Sequence, residues 1–155
     1  MTLLLAWALG CGSDDPATAE AAIRKYNDAV IVAYRANDPA GLPAVATTEE
    51  ANKVLVLIDL KKGSNLVLES ALESLEVTGT SRPDAGKLDA STKEKWSYHD
   101  RPLDPGKPAG TNYVVKMELD YHLIDDGSGW KVAGVDATAS EYLEPAGFTL
   151  EAPPP

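Results

Sequence analysis

The chain has a single cysteine, Cys11, among its 155 residues, so no intrachain disulfide can form. Histidine is nearly as scarce: His99 and His122 are the only two. A zinc centre needs three or four ligands, and these three side chains are all the nitrogen and sulfur ligands the sequence offers. No His-Glu-x-x-His, no pair of cysteines and no Gly-x-Ser-x-Gly occurs. No metal ligand set, cofactor motif or nucleophile is therefore expected. Positive charge is also short. Fourteen Lys and Arg stand against 24 Asp and Glu, a formal net charge of −10. That balance argues against a nucleic-acid partner, because neutralising phosphates requires clustered basic side chains. It equally disfavours direct adhesion to anionic lipid. No apolar run approaches the ~18 residues that a membrane-spanning helix needs.

What is present is an ordinary globular composition, 44% hydrophobic and 25% charged, on a length that suits one domain. The first eleven residues stand apart. Residues 3–10 are uncharged, and Gly10 precedes Cys11. This stretch resembles a bacterial lipoprotein signal, in which an apolar run and a small residue lead to a cysteine. The resemblance implies a diacylglyceryl thioether on the Cys11 sulfur and cleavage between Gly10 and Cys11. More than one acyl chain then gives stable anchoring. Ala8 and Leu9 stand in the reverse of the usual order, and no Lys or Arg precedes the run. A translation start upstream of Met1 would account for the missing basic residues. The expected organisation is a signal peptide at 1–10, a lipidated tether at 11–16, one domain at 17–143, and a Pro-rich mobile tail at 144–155. The expected address is the bacterial cell envelope, outside the cytoplasm, on a membrane of unspecified identity.

Within the domain, Asp15 as cap and Pro16 at the first position begin a helix. Ile23, Tyr26, Val30, Ala33 and Tyr34 form its apolar stripe, and Asn37-Asp38-Pro39 closes it. Thr47 with Glu50 reads as a capping box for a second helix reaching about Lys62, buried through Ala51, Val54, Leu55 and Ile58. From Leu66 the period changes. Leu66, Leu68 and Leu72 fall on even positions but Leu75 and Val77 on odd ones, which predicts a bulge near Glu73-Ser74. The lead-in to Ser70 is compatible with helix or strand, with strand continuing to about Thr80. Strands follow at about 87–101, from Tyr113 to Leu123, and from Trp130 to about Ala139. The last two are joined by a hairpin at Asp125-Asp126-Gly127-Ser128-Gly129. The fold class expected is α+β, with two or three N-terminal helices packed on a bent four-stranded antiparallel meander.

Two stretches carry a likeness to a known superfamily. Glu94-Lys95-Trp96-Ser97-Tyr98 is similar to a Glu-x-Trp-x-Tyr strand. Tyr113 to Tyr121 followed by Gly129-Trp130-Lys131-Val132 is similar to a Tyr-strand, hairpin and Gly-Trp-x-Val pairing. Together they resemble the nuclear transport factor 2-like superfamily, in its branch of plastid-division and cyanobacterial IMS domains, over about residues 50–137. The resemblance implies a curved sheet wrapped around helices as a cone. It leaves function open, because the superfamily holds isomerases, dehydratases, binding proteins and inert assembly modules.

Tyr26, Tyr34, Trp96, Tyr98, Tyr121 and Trp130 are the candidate pocket, if they are more than core. Glu94 alternates with Trp96 and Tyr98 on the helix-facing side, so it is the candidate catalytic residue. A carboxylate in an apolar cone is driven toward its neutral form and can act as a general base. The competing reading makes Glu94 a structural anchor. His99 and His122 are expected at the solvated surface, and Asp125 and Asp126 as turn residues. Two functions follow. One is a non-catalytic module binding an envelope protein or a small apolar ligand. The other is a cone-pocket isomerase or dehydratase using Glu94 and a tyrosine.

Overall fold

A computed structural model describes residues 15–145. Helix α1 spans Asp15–Ala36 and α2 spans Thr48–Gly63, with a short 3-10 turn at Leu42–Ala44 between them. Four strands follow: β1 Leu66–Ser81, β2 Lys87–Pro102, β3 Tyr113–Asp125 and β4 Trp130–Glu144. They form one antiparallel sheet in the order β1-β2-β3-β4. The expected class, helices on an antiparallel meander, is the observed one.

Helix α1 buries Ala19, Ala22, Ile23 and Tyr26 against the sheet, where Leu88, Ala90, Leu119, Tyr121, Leu123 and Val132 meet it. Removing this much apolar area from water is what holds the helix on the sheet. Pro16 is helical as its start signal predicts, and the helix takes in Asp15 as well. The Asp15 carboxylate accepts the Nε–H of Arg82 at 2.9 Å and so fastens the start of α1 to the end of β1. At the other end Asn37 takes a left-handed φ of 50°. The amide of Asp38 then donates back to the Ala33 carbonyl at 3.0 Å, which satisfies an orphan carbonyl of the last turn.

Thr47 caps α2 as the spacing predicts, its hydroxyl accepting the Glu50 N–H at 3.4 Å. The reciprocal half of a capping box is absent, since the Thr47 amide donates to Val132 of β4 at 2.9 Å. The Glu50 side chain is thereby released for the interior. Val54 and Ile58 are buried, with Ala33 and Leu42 across from them.

Strand β1 is extended throughout, which settles the ambiguous lead-in in favour of strand. Its register with β2 slips between Leu72 and Ser74, where the phase change predicts a bulge, and again between Val77 and Gly79. Bulges increase local twist, and the sheet curls around α1. Strand β4 continues past its expected end near Ala139 to Glu144. Longer pairing with β3 accounts for this, since Val115 faces Tyr142 and Val114 faces Glu144. Gly127 and Gly129, at φ of 88° and 118°, supply the β3–β4 turn that a side chain would strain.

On the outer sheet face, His122 of β3 bridges Asp89 of β2 at 2.8 Å and Asp136 of β4 at 3.3 Å. The hydrogen bond to Asp89, followed by the charges of both carboxylates, raises its pKa above the ordinary imidazole value. A raised folded-state value stabilises the protein below the unfolded value of about 6.5. That contribution is lost as pH rises through the folded value. Urea midpoints measured across pH 5.5 to 8.5 are expected to show a fall that His122→Gln flattens. The effect is small, because the ring is half exposed and solvent screens it.

Candidate functional site

The open end of the cone holds a cavity of about 530 Å³ between the two helices and the inner sheet face. Tyr26 and Tyr34 come from α1, Trp96 and Tyr98 from β2, and Tyr121 from β3. The cavity thus gathers five of the six aromatic residues singled out from the sequence. Trp130 is the exception. It opens β4 at the hairpin, packs against the core, and lies under the Arg82 guanidinium, 5.4 Å from ring centroid to Cζ. Its strand phase points it inward, but it sits at the wrong end of the strand for the cavity.

Glu94 lies behind this aromatic wall and is 2% exposed. Strand alternation puts it on the inner face between Thr92 and Trp96, and both neighbours turn toward it. Its Oε1 accepts the Tyr121 hydroxyl at 2.8 Å and the Thr92 hydroxyl at 3.1 Å. Its Oε2 accepts the Trp96 indole N–H at 2.7 Å and, more weakly, the Asn27 amide at 3.5 Å. Four neutral donors therefore converge on two oxygens. An ionised carboxylate, acceptor-only, satisfies all of them. The environment is less apolar than the sequence pattern implies, because a buried polar group needs partners and here has them.

A second buried carboxylate, Glu50 of α2, is 4% exposed and faces the other side of the same wall. It accepts the Tyr26 hydroxyl at 2.8 Å and pairs with Lys53 at 2.9 Å. The rings of Tyr26 and Tyr121 meet edge to face at 6.4 Å, so the two carboxylates flank one aromatic pair. Burial, and then Glu50, holds the Tyr26 hydroxyl well above the ordinary phenol range. Burial, and then the charge of Glu94, does the same for Tyr121. Tyr34 is pushed up to about 12 by burial and by Glu50. Burial and the Tyr142 hydroxyl at 2.9 Å raise Tyr98. The phenols of the wall are thus neutral donors at physiological pH.

Glu50, Asn27 and Thr92 are absent from the candidate set read from the sequence. Thr92 shares the period of Glu94 and Trp96, and Asn27 lies beside Tyr26 on the buried stripe, so a signal existed for both. Glu50 carried a competing one: its capping-box spacing explains it without any interior role. Both histidines stay away from the cavity wall. Asp125 and Asp126 serve the turn, accepting the Gly127 and Ser128 amides. Among the described residues no group of three or more His, Cys, Asp or Glu is placed to hold a metal ion. Gly10 and Cys11, and the stretch read as a signal, lie outside the described residues. None of the described helices is long and apolar enough to cross a membrane.

No protein-family model matches the sequence, and comparison with curated proteins finds no match. Solved structures do match. The intermembrane space region of chloroplast protein ARC6 superposes with a TM-score of 0.70 at 18% identity, covering 79% of this chain and 95% of that one. LinA superposes at 0.57 and 12% identity, covering 90% and 97%. The fold is nuclear transport factor 2-like. A LinA-type3 hexachlorocyclohexane dehydrochlorinase from Novosphingobium barchaimii LL02 matches at 0.53 and 11% identity, covering 90% and 98%. A periplasmic fragment of TraM matches at 0.51 and 10%, covering 77% and 96%. At these identities the likeness is one of fold, shared by a dehydrochlorinase and by an intermembrane space region of a chloroplast protein.

Proposed function

We propose that the protein is a lipid-anchored, extracytoplasmic binding module, held to a membrane through Cys11, whose cone takes up a small ligand without transforming it. The observation that carries this reading is the state of Glu94. It is the acid behind an open, aromatic-lined cavity, and its oxygens are already occupied by four donors. A general base needs a lone pair within reach of a substrate proton, whereas these lone pairs are turned to the protein's own wall. No imidazole or thiol lines the cavity to replace it.

The address rests on the apolar run ending at Gly10-Cys11, and it accords with a fold also used by an intermembrane space region and a periplasmic fragment. The test has two arms. Metabolic acyl-chain labelling should mark the wild type and leave Cys11→Ala unmarked, with the variant released from membranes on fractionation. Native mass spectrometry after mild extraction should find a small molecule on the domain. Equal labelling of both proteins would overturn the anchor, and a domain empty under every extraction would overturn the binding module.

A second reading rests on one contact, the 2.8 Å bond between the Tyr121 hydroxyl and Glu94. It joins a carboxylate to a phenol much as an isomerase or dehydratase pairs base and proton donor. Under that reading Glu94→Gln keeps the fold and abolishes turnover by two or more orders of magnitude. Retained turnover in a folded Glu94→Gln protein removes it.

A further inference from the structure

We infer that the cavity selects an organic cation, a quaternary ammonium group on an apolar body. The inference rests on the binding-module reading above and names the chemistry of its ligand. Three features of the wall point the same way.

The first is aromatic density. Tyr26, Tyr34, Trp96, Tyr98 and Tyr121 surround one space of about 530 Å³. Ring faces carry the negative end of the aromatic quadrupole, and a cation within about 6 Å of several rings is attracted by all of them. The second is what stands behind the rings. Tyr121 and Trp96 donate to Glu94, and Tyr26 donates to Glu50. Donation to a carboxylate polarises the donor and leaves its ring richer in electrons. The third is the charge balance. All four donors to Glu94 are neutral, and no Lys, Arg or His lies within ion-pair distance of it among the described residues. Lys61, the one basic residue on the wall, is balanced by Asp100 at 2.5 Å. No basic side chain therefore offsets the Glu94 carboxylate behind the wall, and a cation in the cavity meets no opposing charge there.

The same geometry says which cation. The oxygens of Glu94 are taken, so an incoming ammonium finds no free carboxylate lone pair for its N–H groups. A primary amine would find only neutral hydroxyls such as those of Tyr34 and Ser70 in place of its water hydrogen bonds. A quaternary nitrogen has none to lose.

Benzyltrimethylammonium and neopentylbenzene are the same shape and differ by one charge. Titrated into the full chain in detergent and followed by the Trp96 indole N–H signal, the cation should bind about tenfold more tightly than the hydrocarbon, or better. Tyr34→Leu keeps an apolar wall but removes a ring, and should shrink that ratio at least threefold, while Tyr34→Phe preserves it. Glu94→Gln should also shrink it. Should that variant fail to fold, the Tyr34 pair decides alone. Equal or tighter binding of neopentylbenzene overturns the inference and leaves the binding module standing. A cation preference unchanged in Tyr34→Leu overturns it too, because the cation then sits elsewhere. Failure of both probes to bind overturns it together with the small-ligand reading.

Discussion

Glu94→Ala should lower unfolding free energy by about 3–5 kcal/mol, among the largest losses any single substitution in this chain can cause. The carboxylate is 2% exposed, and its removal strands two donors that cannot adapt. The Trp96 indole N–H and the Asn27 amide can only donate where they stand, and each unmet buried donor costs about 1–3 kcal/mol. The Thr92 and Tyr121 hydroxyls can rotate to other acceptors, and an empty carboxyl-sized space adds a packing loss. Glu94→Gln is the informative companion. Its amide oxygen can still accept from Trp96 and Asn27, while its NH₂ turns toward hydroxyls able to act as acceptors. A loss of about 1–2 kcal/mol is expected for Gln. Urea unfolding of the two variants checks the difference. Equal losses would mean that the four-donor clamp does not set the cost.

Tyr26→Phe should cost about 1.5–3 kcal/mol, the range for a hydrogen bond to a charged group. Glu50 is 4% exposed, and after this change its Oε1 loses the hydroxyl at 2.8 Å. What remains is Lys53, whose side chain is 55% exposed and offers a strongly screened, mobile charge. Tyr34→Phe is the control. Tyr34 lines the same cavity but makes no side-chain hydrogen bond among the described residues, so its change should stay within about 0.5 kcal/mol. Thermal or urea midpoints for the pair separate the hydrogen bond from the ring. A Tyr26→Phe protein as stable as the wild type would show that Glu50 draws its support from Lys53 alone.

Local pattern carried the fold a long way. The strand period of Tyr113 to Leu123 defined β3 from its alternation alone, because one face is buried and the other is not. The phase slip at Glu73-Ser74 located the bulge, since a one-residue insertion must flip every later side chain. Thr47 declared the start of α2. Asp15, by contrast, reads as a cap but lies inside the helix, where its carboxylate serves Arg82 across the molecule. A distant partner of that kind leaves no local trace.

The candidate site divides along the same line. Period-two spacing put Glu94, Trp96 and Tyr98 on one face, and period-3.6 spacing did so for Tyr26 and Tyr34. That these two faces meet, and that Tyr121 closes the wall between them, was decided by the sheet curling around α1. So was the separation of Trp130, whose phase is right and whose distance along the strand is wrong. The pairing of Glu50 with Tyr26, and of Asn27 with Glu94, depends on side chains that are 24 and 67 positions apart in the chain. Periodicity records which way a residue faces, because that follows from the backbone repeat. It holds no information on which distant residue will be waiting there, and for this protein that meeting is what turns a buried acid from a free base into a clamped one.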